Sequence, residues 1–180
     1  MVSIMESVKI NIDVAAESEK IRKILSEVMD PEIPVLSVID LGIVRDVQLI
    51  NDGEKNVWNI IITPTYNGCP AMDVISMNIK IAMISHGFNN VTVQHVITPA
   101  WTTDWMTNEG RQKLRAYGIA PPNPTQQVCR TDLFAADEAV QCPHCNSYHT
   151  TRISEFGSTA CKSLFKCEDC MEPFDYFKCH

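Results

Sequence analysis

The first regular alternation of apolar and charged residues along the chain covers residues 18–29. Apolar side chains recur there at helical spacing, with charged side chains between them, which predicts an amphipathic helix docked on a core. Pro31 disfavours helical geometry at Asp30, so we expect the helix to end before that residue. The residues on the predicted buried face are Ile21, Ile24, Leu25 and Val28.

Two runs of β-forming residues follow, at 42–50 and 56–64. They flank Asp52 and Gly53, which suit a tight reversal, and together they predict a β-hairpin. Residues 71–86 are apolar at most positions, which predicts a largely buried helix that ends in a left-handed cap at Gly87. A third strand is predicted at 90–97, so the unit has the order helix, strand, strand, helix, strand.

A short third helix is predicted at 108–117, with Thr107 as its N-cap and Gly118 at its end. The following stretch, "GIAPPNPTQQ", contains three prolines and no periodicity, which is typical of a boundary between domains. We therefore expect an α+β, two-layer domain at 18–122, a connector at 123–140 and a zinc ribbon at 141–180.

The overall composition excludes several classes of protein. The N-terminal residues show neither a signal peptide nor a membrane-spanning run, which predicts a cytoplasmic protein without a membrane partner. The net charge is −7, without a compensating basic cluster, so nucleic acid is not an expected partner. The chain contains eight cysteines, and five of them fall between positions 142 and 170. Such clustering in a reducing compartment favours metal ligands over disulfides.

Two CxxC pairs, "CPHC" and "CEDC", carry the strongest chemical signal. Two such turns supply four thiolates in a closed tetrahedral arrangement, which suits structural zinc. An iron centre, either [2Fe–2S] or of the rubredoxin type, is the alternative. The segments "YHTTRI" and "KSLFKC" between the pairs predict a short hairpin. The expected ligands are Cys142, Cys145, Cys167 and Cys170.

The other cysteines and histidines near these pairs are not needed for a four-ligand site. Cys161 has no partner at the same spacing, and we interpret it as a small buried residue, with a fifth thiol for metal exchange as the alternative. The residues expected not to bind the metal are His144, His149, Cys179 and His180.

Cys69 stands apart from the paired cysteines and comes directly before Pro70. Because proline favours the first position of a helix, Cys69 is predicted to be the N-cap, where free amides and the helix dipole favour a thiolate. A packed cysteine without chemistry is the alternative. Neither His86 nor His95 is placed by the sequence as a base for a cysteine nucleophile.

Other polar and aromatic residues of the first domain have two interpretations each. Asp30, Glu32 and Asp40 either cap backbone amides, which we favour, or polarise the surroundings of Cys69. Trp101 and Trp105, on either side of Asp104, either plug an edge of the core, which we favour slightly, or bind a partner.

Several longer motifs resemble a known family. The segments "DPEIPVLSVIDLG", "ITPTYNGCPAM", "PAWTTDWM" and "GIAPP", in this order, resemble the SufT-like iron–sulfur maturation factors. With "CPHC", "FGSTACKSLFKC" and "CEDCMEPFDYFKC" added, nearly the whole chain resembles the PaaD family, which accompanies the phenylacetyl-CoA epoxidase of aerobic phenylacetate degradation. The resemblance implies that Cys69 is a reactive cysteine and that Asp40 and the loop of Trp101, Asp104 and Trp105 lie beside it.

The same resemblance implies an accessory factor, not an enzyme, that helps to place an iron–sulfur cluster in the epoxidase reductase component. The di-iron oxygenase component is a second possible client. The chain itself has neither a di-iron ligand set nor a dinucleotide-binding glycine loop.

Because one thiolate cannot hold a cluster alone, a transient cluster at Cys69 needs ligands from a second protomer in a homodimer, a client or neighbouring acids. The alternatives are a structural or regulatory epoxidase subunit and a thiol enzyme that uses Cys129.

Overall fold

The computed structural model describes residues 13–51, 55–122 and 140–178, and within these ranges the predicted α+β fold is confirmed. Three α-helices, two sheets and a short 3-10 helix at Thr103–Trp105 make up the described structure. In chain order the elements are α1 (Val14–Leu25), β1 (Val44–Asn51), β2 (Asn56–Ile62), α2 (Ala71–Ser85), β3 (Val91–His95), α3 (Asn108–Ala116), β4 (Ile119–Ala120), β5 (Thr150–Ser154), β6 (Lys162–Cys167) and β7 (Pro173–Phe177).

The first helix is confirmed, but it lies about four residues nearer the N-terminus than predicted. Asp13 is its N-cap, and the Asp13 carboxylate accepts a hydrogen bond from the Ala16 amide at 3.2 Å. The helix ends at Leu25, with Ser26 as its C-cap. The chain then turns, and Met29 forms an isolated β-bridge with Ser37. The predicted inner face is buried, at Ile21, Ile24, Leu25 and Val28.

The first sheet has the strand order β1, β2, β3. β1 and β2 are antiparallel, as expected of a hairpin, and β3 lies parallel to β2 after the crossover through α2. The predicted order of helix, strand, strand, helix and strand is therefore confirmed. Residues 52–54, which contain the predicted turn at Asp52 and Gly53, lie outside the described residues.

The prediction that α2 is largely buried is wrong. Its inner face packs on the core through residues such as Met72, Ile75 and Ile79. The opposite face carries an apolar stripe whose side chains are between 41 and 58 % exposed, because the sheet covers only one side of the helix. No helix in the described ranges has both the length and the apolar character needed to cross a membrane. The exposed stripe consists of Val74, Met77, Ile81 and Ile84.

The signals predicted at Gly87, Gly118 and Thr107 are confirmed. Gly87 and Gly118, which follow α2 and α3, have φ angles of 89° and 90° in the left-handed region that glycine adopts without strain. The Thr107 hydroxyl accepts a hydrogen bond from the Gly110 amide at 2.9 Å and so caps α3.

The second sheet contains the predicted ribbon hairpin, formed by β5 and β6. Its strand order is β4, β7, β6, β5, and the sequence predicted neither β7 nor the parallel pairing of β4 with β7. β4 belongs to the predicted first domain but extends the ribbon's sheet. Residues 123–139 of the predicted connector lie outside the described residues, so the division into three segments stays a prediction.

The ribbon packs directly on the first domain. Phe177 of β7 contacts the indole of Trp101 edge-on, with 5.9 Å between the ring centroids. Phe177 and Cys161 belong to the core of the first domain, whereas Phe165, Phe174 and Tyr176 form a separate small core inside the ribbon. The core of the first domain is therefore shared with the ribbon through Phe177 and Cys161, beside the small core that the ribbon has of its own.

We predict that Phe177→Ala lowers the free energy of unfolding by about 3 to 5 kcal/mol, because it opens a cavity in this shared core. The measurement is denaturant unfolding followed by tryptophan fluorescence and by zinc release. Phe156→Ala is the matched control, because Phe156 is 64 % exposed, and its cost should stay below about 1 kcal/mol. Equal costs for the two variants would contradict the shared core.

Candidate functional site

The four predicted ligands Cys142, Cys145, Cys167 and Cys170 lie together, with all four sulfurs within 4.8 Å of one another. The Sγ atoms of Cys142 and Cys170 are 3.8 Å apart, and those of Cys145 and Cys167 are 3.5 Å apart. A tetrahedral zinc ion with Zn–S bonds of about 2.3 Å separates its sulfurs by about 3.8 Å. The donor set and spacing therefore fit structural zinc, which these residues would hold as a closed four-thiolate site.

Backbone amides of the second CxxC turn point at a ribbon sulfur. The Cys170 and Asp169 amides both donate to Cys167, and the Cys170 amide has the larger effect, so the pKa of the Cys167 thiol falls to about 7. The hydrogen bond from the Glu172 amide lowers the pKa of Cys170 itself, but burial and the neighbouring sulfurs outweigh it, and that pKa rises to about 12. Asn146 and Met171, which follow the two turns, have left-handed φ angles of 67° and 66°.

Cys69 lies at the start of α2, but one residue before the predicted position. Pro70 is the N-cap and Ala71 the first helical residue, so the prediction of Cys69 as the N-cap is wrong by one residue. The side chain is half-buried, accepts a hydrogen bond from the Ala71 amide and forms another with Tyr66.

The expectation that this position favours a thiolate is also wrong. Burial raises the pKa of Cys69, and the nearby carboxylates of Glu32 and Asp30 raise it further. These effects outweigh the hydrogen bonds from the Ala71 amide and Tyr66, which lower the pKa. The surroundings of Cys69 therefore disfavour its thiolate form.

The carboxylates near Cys69 come from the turn after α1. The Asp30 side chain accepts the amides of Glu32 and Ile33, both at 2.8 Å, which confirms the predicted capping role. The ribbon contacts this turn as well, because the Cys161 thiol donates to the Glu32 carboxylate at 3.4 Å. Cys161 is 4 % exposed, so its interpretation as a buried residue is confirmed.

Asp40 is buried in a network of its own. Its carboxylate accepts the Ser37 amide at 2.9 Å and the Ser37 hydroxyl at 2.8 Å, and it forms a 2.9 Å ion pair with Lys113. Burial alone would raise the pKa of Asp40, but the hydrogen bonds from Lys113 and Ser37 outweigh burial and lower it. The favoured capping role of Asp40 is thus confirmed.

Trp101 plugs the core, as favoured from the sequence, and its indole Nε1 donates to the Leu41 carbonyl at 2.9 Å. Trp105 is half-buried, and the Arg45 guanidinium lies over its ring at 3.4 Å from the centroid. Asp104 is exposed between them. That Asp40 and this loop act together with Cys69 stays a prediction.

The two histidines considered as bases, His86 and His95, form hydrogen bonds with residues other than Cys69. His95 Nε2 shares a hydrogen bond with the Ser76 hydroxyl at 2.7 Å, and His86 Nδ1 donates to the Ala82 carbonyl at 2.8 Å. The contacts around Cys69 instead include Tyr66, three residues earlier in the same loop, to which the sequence reasoning assigned no role. The signal for Tyr66 was its place in the motif "ITPTYNGCPAM".

Comparison with known proteins shows to which family the chain belongs. Residues 126–178 match the family described as the PaaD zinc beta ribbon domain, and residues 18–94 match the family described as iron–sulfur cluster assembly protein. An Escherichia coli K12 protein, provisionally named as a subunit of 1,2-phenylacetyl-CoA epoxidase, is 52 % identical over 87 % of this chain and 89 % of its own length. The chain belongs to the PaaD family. The resemblance inferred from the motifs is confirmed.

Two further similarities involve only the first domain of this PaaD family member. A Porphyromonas gingivalis W83 protein named Fe-S protein maturation auxiliary factor is 34 % identical over 53 % of this chain and 89 % of its own length. A crystal structure from Bacillus anthracis, described as a domain of unknown function DUF59, is 28 % identical and has a TM-score of 0.50. The similarity covers 56 % of this chain and 92 % of that one.

We predict that the purified protein retains one zinc ion per chain and that Cys145→Ser weakens zinc binding by at least about 100-fold. Changing only a hydrogen-bond partner of a metal ligand already costs roughly 10- to 100-fold. Metal analysis after dialysis against a chelator measures the effect, with Cys161→Ser as the control that keeps its zinc. Iron in place of zinc in the wild-type ribbon would contradict this assignment.

We also predict that Asp40→Asn lowers the free energy of unfolding at neutral pH by about 2 kcal/mol, because the charged hydrogen bonds of a buried carboxylate are lost. The folded-state pKa of Asp40 is lowered, so this contribution is complete above the unfolded pKa of about 3.9. It disappears as the pH falls through the lower folded-state pKa. Unfolding curves at several pH values measure the difference.

Glu109→Gln is the matched control for this prediction. Glu109 pairs with the same Lys113 at 2.9 Å, but its side chain is 73 % exposed. An exposed pair of this kind contributes less than about 1 kcal/mol. A pH-independent difference between Asp40→Asn and the wild type would contradict the role of the Asp40 charge.

Proposed function

We propose that this protein is an accessory factor for assembling iron–sulfur centres, or the di-iron centre, of the phenylacetyl-CoA epoxidase system of aerobic phenylacetate degradation. The observation that carries the proposal is the half-buried Cys69 at the start of α2, surrounded by Tyr66, Asp30 and Glu32. The match of residues 18–94 to iron–sulfur cluster assembly proteins supports this use of the thiol.

The chemistry around Cys69 favours a metal ligand over a nucleophile. A catalytic cysteine needs a neighbouring base or a lowered pKa. The pKa of Cys69 is raised, and His86 and His95 form their hydrogen bonds elsewhere. A neutral thiol that loses its proton only when a metal displaces it suits transient binding of cargo. The protein therefore serves other enzymes and has no turnover of its own.

The client is proposed from the chemistry of the system. An epoxidase that uses oxygen needs electrons delivered to it, and the iron–sulfur centre of its reductase component is the first candidate for assembly. The di-iron site of the oxygenase component is the second. The zinc ribbon is too acidic to gain affinity from the phosphate groups of a nucleic acid. Its proposed role is therefore to dock the factor on the client protein. The proposed location is the cytoplasm.

A second function is favoured by one specific observation, the exposed apolar stripe of Val74, Met77, Ile81 and Ile84 on α2. Apolar side chains that line up on one helix face mark a surface that other proteins cover. In this alternative the protein is a structural or regulatory epoxidase subunit, or a homodimer within that complex. Cys69 would then be only a packed residue.

We predict that epoxidase components purified from cells lacking this protein are deficient in iron and acid-labile sulfide. Wild-type protein should restore both, whereas Cys69→Ser should leave them at the level of the deletion, because serine does not replace a thiolate ligand for iron. Cys129→Ser is the matched control and should behave as the wild type.

The other outcomes separate the alternatives. Fully loaded components that turn over only when this protein is added back would make it a working subunit. Loss of function in Cys129→Ser as well as in Cys69→Ser would favour a thiol enzyme with a resolving cysteine.

A further inference from the structure

The exposed apolar residues of α2 follow the spacing of a contact between two helices. The intervals between successive residues are three, four and three positions, which is the a/d repeat of a coiled coil. Such a repeat places the apolar side chains on one line along the helix, where the side chains of a second helix interlock with them. We call this line the α2 stripe, and it consists of Val74, Met77, Ile81 and Ile84.

Nothing in the described part of the chain covers the α2 stripe. Among the described elements, α2 packs on the helix α1 and on the strand β3, and the strands of the ribbon do not reach it. The core side of α2 consists of residues such as Ile75, Ile79 and Met83. Because successive helical residues are rotated by about 100°, the stripe points away from these core residues. The stripe is therefore an open helix face on the outside of the first domain.

The other described helices do not offer a matching face. α1 exposes one large apolar side chain, Val14, and α3 exposes none. Among the described helices, α2 is thus the one with an apolar line that can form the contact. A surface that matches only itself is satisfied by a two-fold dimer, in which the same patch of both copies meets.

The charges beside the α2 stripe determine the orientation of such a pair. Asp73 and Lys80 lie on one flank of the stripe, each one position before a stripe residue, and both are exposed. Asn78 and Ser85 lie on the other flank and carry no charge. A parallel pair would place the charged flank of each helix against the uncharged flank of the other. In an antiparallel pair the two charged flanks meet in reversed order, so that Asp73 of each copy faces Lys80 of the other.

We propose that this protein forms a homodimer in which the α2 stripes of two copies pack antiparallel across a two-fold axis. At the centre of the contact, Met77 of each copy lies against Ile81 of the other. At both ends, Val74 lies against Ile84. The proposal is independent of the assembly function. For the alternative subunit function, it assigns the stripe to the dimer and not to an epoxidase component.

The dimer has a consequence for Cys69, which lies just before α2. The helix has 15 residues and is about 22 Å long. An antiparallel pair separates the N-terminal ends of the two helices by roughly this length. The two Cys69 thiols are then too far apart to share one metal centre. A cluster at Cys69 would therefore take its other ligands from a client or from neighbouring acids, and not from the second copy.

Sedimentation of the zinc-loaded full chain at a series of concentrations tests the proposal. We expect an equilibrium between monomer and dimer. Ile81→Glu should weaken dimerisation at least about 30-fold, the loss typical of a residue at the centre of an interface. Ile153→Glu is the matched control, because Ile153 is 55 % exposed and Ile81 is 58 % exposed, but Ile153 lies in the ribbon strand β5. This control should dimerise as the wild type does.

Exchange of the two charges tests the orientation. Asp73→Lys or Lys80→Asp alone sets like charges against each other, and each should weaken dimerisation at least about 3-fold at low salt. The double variant restores opposite charges and should dimerise as the wild type does. If the losses of the two single variants add up in the double variant, the antiparallel arrangement is refuted.

Two results would overturn the dimer itself: a wild-type protein that is monomeric at every concentration, or a dimer that Ile81→Glu leaves intact. In the first case, a lower unfolding free energy of Ile81→Glu would show that the chain covers its own stripe. Binding of a purified epoxidase component that Ile81→Glu abolishes would instead identify that component as the occupant.

The loading of the epoxidase components with iron and sulfide separates this proposal from the proposed function. If Ile81→Glu is monomeric and still loads the components, the dimer contact and the assembly function both stand. If the wild type is a dimer through α2 but the components are fully loaded in cells lacking this protein, the dimer stands and the assembly function is refuted.

Discussion

The packing of Phe177 against Trp101 is the interaction on which the rest of the structure depends. It joins the last strand of the ribbon to the core of the first domain, and the β4–β7 pairing reinforces it. β7 pairs with β6, so the same contact fixes β6 and the residues at its start. The contact thereby also holds Cys161 beside Glu32, which is 129 residues away in sequence.

The thiols of this protein differ in the groups that surround them, even within the ribbon. The amides of Cys170 and Asp169 point at Cys167, and the pKa of its thiol falls to about 7. In the same cluster the hydrogen bond from the Glu172 amide lowers the pKa of Cys170, but burial and the neighbouring sulfurs outweigh it, and that pKa rises to about 12. The pKa of Cys161 also rises to about 12, through burial and the Glu32 carboxylate. A metal ion that binds the four ribbon cysteines therefore displaces protons from thiols of unequal acidity.

The sequence was sufficient wherever the deciding interaction is local. The caps at Thr107 and Gly87, the hairpin of β1 and β2 and the CxxC turns all depend on neighbouring residues, and they were predicted. The exposure of the α2 stripe was missed, because it depends on how much of the helix the sheet covers. The approach of Cys161 and the raised pKa of Cys69 were missed for the same reason, since both arise from contacts between distant segments.

The contribution of the ribbon to the first domain has a consequence for biosynthesis. Positions 69 and 161 are 92 residues apart, and the second CxxC turn follows Cys161 in the chain. Phe177, which fills the core of the first domain, lies later in the chain than all four ribbon cysteines. The first domain therefore completes its core only after the whole four-thiolate site has been synthesised, so a chain that ends before Phe177 leaves that core with a gap.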